Sequence, residues 1–491
     1  MAILDSTSSV WLTSQLTALI PFLSYQKWLV LSLLVAQSMA LILYLMRKRM
    51  SAKAVYIIDY SCAKPPDETK TGLEAMFFFL KNMGTVCDRD ILFQSKVFLK
   101  SGIGEEAHVP RPNLTKGRDL LSMADSYSQA QVLVVGAVDT VLKKTGVRPH
   151  EVDILVVNCG LFNPTPSLTA LLVNHFKMRE DVKTFHLAGM GCSAGLISLG
   201  LAADLLRAGR RRKARYALVA SAEVIQSLYD GKERPMMVTN CLFRSAGNAV
   251  LLSGRKEDRE RAKMEVAHVV RATSAQRDEA YHVVELREDD EGIVGASLSP
   301  QIVQVAGDTL SMNVRSLAPK VLPWTELCKV GWAMLRAALM RRRKSSSPPP
   351  PYVPNFKRAF EHFCVHPGGR AVIEGIGKGL RLSEEDLEPS VMALHRFGNT
   401  SCSGVFYILA YMEAKGRLRR GDRVWQIGLG SGFKCVTAVL HVLRDLDCRP
   451  DNPWYDCVHR YPVKEELSKQ AHIVPLIKSV SQLMGVPNFK V

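Results

Sequence analysis

Three residues of this chain have the side-chain types and the surroundings for covalent acyl-transfer chemistry. Cys192 stands in the run Gly189-Met-Gly-Cys-Ser-Ala-Gly195, between a strand-like stretch and a long apolar helical pattern. A thiol at a strand-to-helix turn meets unpaired backbone N–H groups and the positive end of the helix dipole, which favour the thiolate. Glycines on both sides let the chain turn sharply and a substrate come close. Downstream lie His366 in Phe363-Cys-Val-His-Pro-Gly-Gly369 and Asn399 in His395-Arg-Phe-Gly-Asn-Thr-Ser401. Most cysteines are inert core thiols, and a histidine on an apolar strand is usually structural. The flanking glycines and the helix start set Cys192 apart, while the other ten cysteines read as core. A Cys, a His and an Asn so placed suggest a nucleophile with two polar partners.

The elements that must hold these residues read as an α/β fold. Ala54 to Tyr60, Val152 to Asn158, Val182 to His186, Tyr216 to Ser221 and Ala249 to Ser253 have strand character. Between them, Ser128 to Thr145, Ser167 to Phe176 and the segment from Cys192 to about Arg207 have helical character. Val152 to Asn158 is a continuous apolar run of strand length, as expected of a strand covered on both faces. The second half repeats the rhythm more loosely: a strand from Ala267, helices over Arg370 to Gly379 and Ser403 to Lys415, and a strand from Val424 to Gly428 that runs into Gly430-Ser-Gly432. Alternating strands and helices indicate a layered α/β architecture. With no fixed short repeat, a diverged duplication of one unit accounts for the length of 491 residues.

A hydrophobic content of 47% is enough for a large core and excludes general disorder. The formal charge of +17 comes with only 7% aromatic residues and no nucleic-acid-binding signature. We therefore read it as attraction to an anionic substrate or membrane surface, with no nucleic-acid partner. The eleven cysteines contain no CxxC pair, so neither a metal site nor a disulfide framework is expected. Scattered thiols in an odd number suit a reducing, cytosol-facing compartment, where the glycosylation patterns at Asn113 and Asn399 are inert.

Trp28 to Met46 is uncharged and apolar and is followed by Arg47-Lys-Arg49. As a helix it spans about 28 Å, close to the thickness of a hydrocarbon core. The basic residues follow the apolar run, so the segment reads as an uncleaved anchor with the rest of the chain on the cytoplasmic side. Val10 to Leu23 fits either an interfacial segment or half of a hairpin. Trp324 to Met340 is apolar with few charges and leads into Arg341-Arg-Arg-Lys344 and a serine-proline run to Pro351. It fits a cap over an apolar channel, pressed on a bilayer, or an ordinary amphipathic surface helix. The basic run Arg207 to Arg215 reads as a solvated loop, with phosphate binding as its functional alternative.

With these residues in view, the chain resembles the very-long-chain 3-ketoacyl-CoA synthases, the condensing enzymes of plant fatty-acid elongation. More distantly it is similar to ketoacyl synthase III and the chalcone-synthase type. The resemblance covers about Val55 to Val463. It rests on Gly189 to Gly195, Asn240-Cys-Leu-Phe-Arg244, His362 to Val372, His395 to Ser401 and Trp425 to Cys435. It implies a thiolase-type fold of two pseudo-dyad-related halves in five layers, usually dimeric. The expected organisation is an anchor over 1–50, with its clear span at 28–46, a first half over 51–258 and a second over 259–491. A cap over 324–352 would belong to the second half.

The resemblance also implies roles. Cys192 would attack an acyl-CoA thioester, and His366 and Asn399 would hold the thioester oxygen of malonyl-CoA as CO₂ leaves. Gly430, Ser431 and Gly432 would close an oxyanion hole with the backbone N–H of Cys192. His362 and His395 would support the site. No metal or cofactor is implied beyond the two substrates, and Gly430-Ser-Gly432 lacks the dinucleotide fingerprint. Membrane lipid, a second copy and other elongation enzymes are the implied partners, on the cytosolic face of the endoplasmic reticulum. Departures are Ala188, Pro367, and Arg271-Ala-Thr273 where relatives often read Arg-Thr-His. The missing histidine keeps a weakly active or inactive elongase-like scaffold open as an alternative. A type III polyketide synthase is the other.

Overall fold

The computed structural model describes residues 53–463 except 73–74, 77–79, 82–85, 110–121, 209–214, 226–227 and 343–351, together with residue 37. The segment 10–23, all of 28–46 but residue 37, the glycosylation pattern at 113–115, most of the basic run and the proline run lie outside the described residues. The chain divides into two compact units, Met1–Lys53 and Ala54–Val491, and the architecture below belongs to the second.

Its first half comprises β1 (Tyr56–Cys62), α1 (Asp88–Lys100), α2 (Met123–Thr145), β2 (Val152–Cys159), α3 (Leu168–Phe176), β3 (Lys183–Leu187), α4 (Ala194–Ala208), β4 (Tyr216–Glu223), α5 (Arg234–Leu242) and β5 (Ala246–Ser253). The second comprises β6 (Met264–Thr273), β7 (Val284–Glu288), β8 (Val294–Leu298), α6 (Ile302–Val321), α7 (Trp324–Arg342), β9 (His362–Val365), α8 (Arg370–Leu380), α9 (Glu384–Phe397), α10 (Gly404–Ala414), β10 (Arg423–Gly430) and β11 (Lys434–Val442). The expected strands and helices are present, most with ends shifted by a few residues. The strands β7, β8, β9 and β11 and the helices α1, α5, α6 and α9 are additions to that expectation.

Nine strands form one sheet in the order β3-β2-β4-β5-β1-β6-β11-β10-β9. Outward from the β1–β6 junction, each half shows its first strand, then its last, then its penultimate, then its second. The pairing matches: β4 is antiparallel to β5 and parallel to β2, as β10 is antiparallel to β11 and parallel to β9. This mirrored order is the signature of a duplicated unit about a pseudo-dyad.

Side-chain alternation sorts the strands between cores. Ile154 and Val156 of β2 enter a central cluster, whereas Leu155 and Val157 enter an outer one under α2 and α3. In the other half Val436, Ala438 and Leu440 of β11 face the centre, and Trp425 and Ile427 of β10 face an outer cluster with α6 and α8. The layers are therefore helix, strand, helix, strand, helix. The central layer is α4 and α10, apolar around most of their circumference because sheet covers both sides. Residues Gly191–Ala208 are long and apolar enough to cross a membrane, yet most of them are buried in this central layer.

The two central helices start alike. A one-turn 3₁₀ segment precedes each, Gly191–Ser193 before α4 and Ser401–Ser403 before α10. Gly191 has φ 55° and Ser401 φ 50°, so the same left-handed step opens both. The helix starts meet so closely that a Cβ on Gly195 would overlap the backbone carbonyl of Cys402. Gly195→Ala should therefore destabilise the protein by about 1–3 kcal/mol, the usual range for overpacking against atoms that cannot rotate away. A denaturant midpoint equal to that of the parent would contradict this contact.

Candidate active site

The two helix starts and two loops enclose a cavity of about 500 Å³. Cys192, His366, Asn399 and the loop Gly430, Ser431 and Gly432 all line it. Each arrives on a different element. Cys192 follows β3 in the turn before α4, His366 directly follows β9, Asn399 follows α9, and the glycine loop joins β10 to β11. The loop lies on the nucleophile's turn, where a Cβ on Gly191 would stand 2.7 Å from the Ser431 backbone nitrogen.

Asn399 is oriented by its neighbours. Its Oδ1 accepts the Ser401 N–H at 2.9 Å, which leaves Nδ2 as the donor, with only a long 3.4 Å contact to the Gly368 carbonyl. Its backbone is tied to the other half: Asn399 N–H donates to Leu242 O at 3.0 Å, and Arg244 N–H donates to Asn399 O at 2.9 Å. His366 is buried, its backbone N–H donating to Ile427 O at 2.9 Å, and its Nδ1 has no protein partner. Burial pushes its ring down to about 4, so it is neutral at physiological pH.

Burial also pushes the Cys192 thiol up to about 12, and the Ser401 hydroxyl, which reaches Sγ at 3.4 Å, draws it back. The expected thiolate is therefore not the resting form. Loss of water outweighs the helix dipole, and the thiol needs a base as it attacks. A second group acts in the same direction. The buried Glu223 at the end of β4 lines the cavity, accepts the Leu161 N–H at 2.9 Å and places negative charge near the sulfur. Burial holds its carboxyl above the usual range.

His362 and His395 do not line the cavity. His362 Nε2 pairs with Asp422 Oδ2 at 2.9 Å, and the His395 ring packs edge-on against Tyr461. Thr273 is exposed on β6, with its hydroxyl 3.5 Å from the carbonyls of Gly432 and Phe433. It stands behind the glycine loop and outside the cavity. Ser401, Glu223 and Phe243 are cavity residues that the sequence reading passed over. Phe243 was within reach of it, in the run Asn240 to Arg244, and forms an isolated parallel bridge with Asn399.

Most of the remaining lining is apolar, with Asn163, Tyr281 and Glu285 as its polar members. Val284, Leu286, Ala296 and Leu298 from the β7–β8 hairpin and Ile302 and Ala306 from α6 line it. The described part of segment 324–352 contributes no lining residue. A polar reaction centre joined to an apolar arm suits a thioester with a hydrocarbon tail. Ser401→Ala removes the hydroxyl donor to Sγ and should slow alkylation of Cys192 by iodoacetamide about tenfold, the worth of a hydrogen bond to a developing charge. An unchanged alkylation rate would remove Ser401 from the site's chemistry.

Residues 45–339 match the family described as FAE1/Type III polyketide synthase-like protein, and residues 357–442 match the C-terminal part of 3-oxoacyl-[acyl-carrier-protein] synthase III. Among the relatives in Arabidopsis thaliana, 3-ketoacyl-CoA synthase 6 is 44% identical over 416 residues, covering 84% of this chain and 81% of that protein. 3-Ketoacyl-CoA synthase 4 is 43% identical over 412 residues, covering 84% of this chain and 78% of that protein. Among solved structures, the C-terminal type III polyketide synthase domain of Steely1 from Dictyostelium gives a TM-score of 0.62 at 17% identity, over 79% of this chain and 99% of that one. A type III pentaketide synthase from Neurospora crassa gives 0.60 at 17% identity, over 79% and 99%. At such identities the structural likeness speaks for the fold alone.

Proposed function

This chain belongs to the FAE1/type III polyketide synthase-like family, among its 3-ketoacyl-CoA synthases, and we propose that it condenses a long-chain acyl-CoA with malonyl-CoA in very-long-chain fatty-acid elongation. The observation that carries this reading is the single cavity that joins Cys192, His366 and Asn399 to an apolar arm.

The steps follow from the site. Cys192 Sγ attacks the acyl thioester carbonyl, and its proton passes to the neutral His366 ring. The CoA thiolate leaves, taking that proton, and the acyl group stays on sulfur. Malonyl-CoA then binds with its thioester oxygen toward His366 and Asn399 Nδ2. The C–CO₂ bond breaks, its electron pair forms the enolate, and two fixed donors in a water-poor site hold that charge. Decarboxylation itself makes the carbanion, so no base is needed to remove an α-proton. The enolate carbon attacks the acyl-Cys192 carbonyl, whose oxygen is held by the Cys192 N–H and the amides of the 430–432 loop. Collapse expels the sulfur as a thiolate, which takes a proton from solvent to restore the Cys192 thiol, and gives a 3-ketoacyl-CoA two carbons longer.

On this reading the apolar run at 28–46 anchors the chain in the endoplasmic reticulum membrane, with the catalytic unit on the cytosolic side, where both substrates are made. Association as a homodimer and contact with other elongation enzymes belong to the same proposal. Thr273 weighs little against activity, because it stands outside the cavity.

Incubating the purified chain with long-chain acyl-CoA and labelled malonyl-CoA tests the reading. The expected product is one 3-ketoacyl-CoA, formed without cyclisation. A cyclised polyketide would make the chain a polyketide synthase, and no condensation with any primer would make it a scaffold. Asn399→Ala should still take up the acyl group while malonyl decarboxylation falls about a hundredfold or more, as on loss of an oxyanion donor, whereas His366→Ala, which also removes the base for Cys192, should lose acyl uptake as well as decarboxylation. Normal decarboxylation in either variant would overturn its role.

A further inference from the structure

Helix α7 has two opposite faces with opposite fates. Its inward face is fixed at the first turn by Glu326, whose fully buried carboxylate accepts from Lys329 at 2.9 Å, Tyr352 Oη at 2.8 Å, the Asn355 N–H at 3.1 Å and Arg358 at 3.3 Å. Val330, Ala333, Ala337 and Met340 continue that face, half-buried, at helical spacing.

The outward face is apolar as well. Trp324, Cys328, Trp332, Leu335 and Leu339 follow at steps of four, four, three and four, which sets them on one stripe opposite Val330 and Ala337. Trp324 is 73% exposed and Trp332 69%, with Met334, Leu335 and Leu339 also exposed. Two tryptophans at that exposure on one stripe mark a surface built to be covered. The charges say by what. From 324 to 344 the sequence holds six cations, Lys329, Arg336, Arg341, Arg342, Arg343 and Lys344, against the single carboxylate of Glu326, which is turned inward. A stripe of tryptophan and leucine flanked by cations alone matches the boundary between headgroups and acyl chains of an anionic bilayer.

We propose that α7 lies in the headgroup region of an anionic membrane, its tryptophan stripe downward, as a membrane contact separate from the anchor. It is not a lid on the cavity. Ile302, at the start of α6, lines the cavity, and α7 begins beyond the far end of that helix, about 30 Å along its axis. Its role is to hold the catalytic unit in a fixed attitude on the bilayer, which a single point of attachment does not do. The inference rests on the membrane location proposed above and is independent of the condensation reaction.

Bromolipid quenching of tryptophan emission tests it on the full-length chain. Vesicles contain two parts phosphatidylcholine, brominated in its acyl chains, to one part phosphatidylinositol. Among the described residues Trp425 and Trp454 are buried, and Trp11 and Trp28 are common to parent and variant, so exchange of Trp324 and Trp332 reads α7 by difference. Trp324→Phe combined with Trp332→Phe should remove a quenched, blue-shifted component that the parent shows. Arg336→Glu, or omission of phosphatidylinositol, should weaken the quenching of that component. Equal quenching in parent and double variant, with both recovered on floated vesicles, overturns the proposal while leaving the anchor intact. Failure of the parent to float overturns both. An oligomer in detergent that Trp332→Glu converts to monomer, with no bromolipid quenching of the Trp324 and Trp332 component, assigns the face to a second copy and overturns the membrane contact.

Discussion

The close approach of two helix starts at the pseudo-dyad is the constraint on which the rest of this structure depends. The starts of α4 and α10 meet with no room for a Cβ at Gly195, and each is entered through a residue held at positive φ, Gly191 on one side and Ser401 on the other. Both helices point their positive ends at the same small volume. Whatever anion forms there, enolate or tetrahedral oxyanion, finds two dipoles and a ring of backbone donors already in place, with no reorganisation at the moment of reaction.

The duplication also sets two equivalent cysteines in different surroundings. Cys402 occupies in the second half the position of Cys192 in the first, one residue after the left-handed step. Its sulfur is fully buried and donates to the Ala222 carbonyl at 3.3 Å, whereas Cys192 opens on the cavity. The halves themselves share few sheet hydrogen bonds, pairing only Tyr56 with Glu265 and Ile57 with Met264 across the junction. A buried ion cluster reinforces it there: Lys263 beside β6 lies 2.8 Å from Asp59 of β1 and 2.6 Å from Glu413 of α10. Removing one partner of such a cluster costs about 3–5 kcal/mol, because it strands a charge in the interior.

Much of this was legible in the sequence, for identifiable reasons. The central strands are continuous apolar runs because both faces are covered, and glycine-flanked turns marked Cys192 and the 430–432 loop. The hairpin β7–β8 escaped notice because Val284-Glu-Leu-Arg-Glu288 is short and more polar than apolar. Ser401 and Glu223 escaped because their importance lies in which half of the duplication they face, a relation that no local pattern contains. His362 and His395 were drawn in by their nearness in sequence to His366 and Asn399. Strand and helix geometry turns them instead toward Asp422 and Tyr461. The thiol's protonation state also depended on burial, which outweighs the helix dipole that the sequence made visible.

On the proposed mechanism the sulfur of Cys192, alone among eleven cysteines, carries the growing chain between two half-reactions. Peptide mass spectrometry after brief incubation with a long-chain acyl-CoA tests it most directly. The account predicts one acyl adduct, on the peptide bearing Cys192, that disappears when malonyl-CoA is added and is absent from Cys192→Ala. An acyl group on another cysteine, or an adduct that persists with malonyl-CoA while product accumulates, would contradict it.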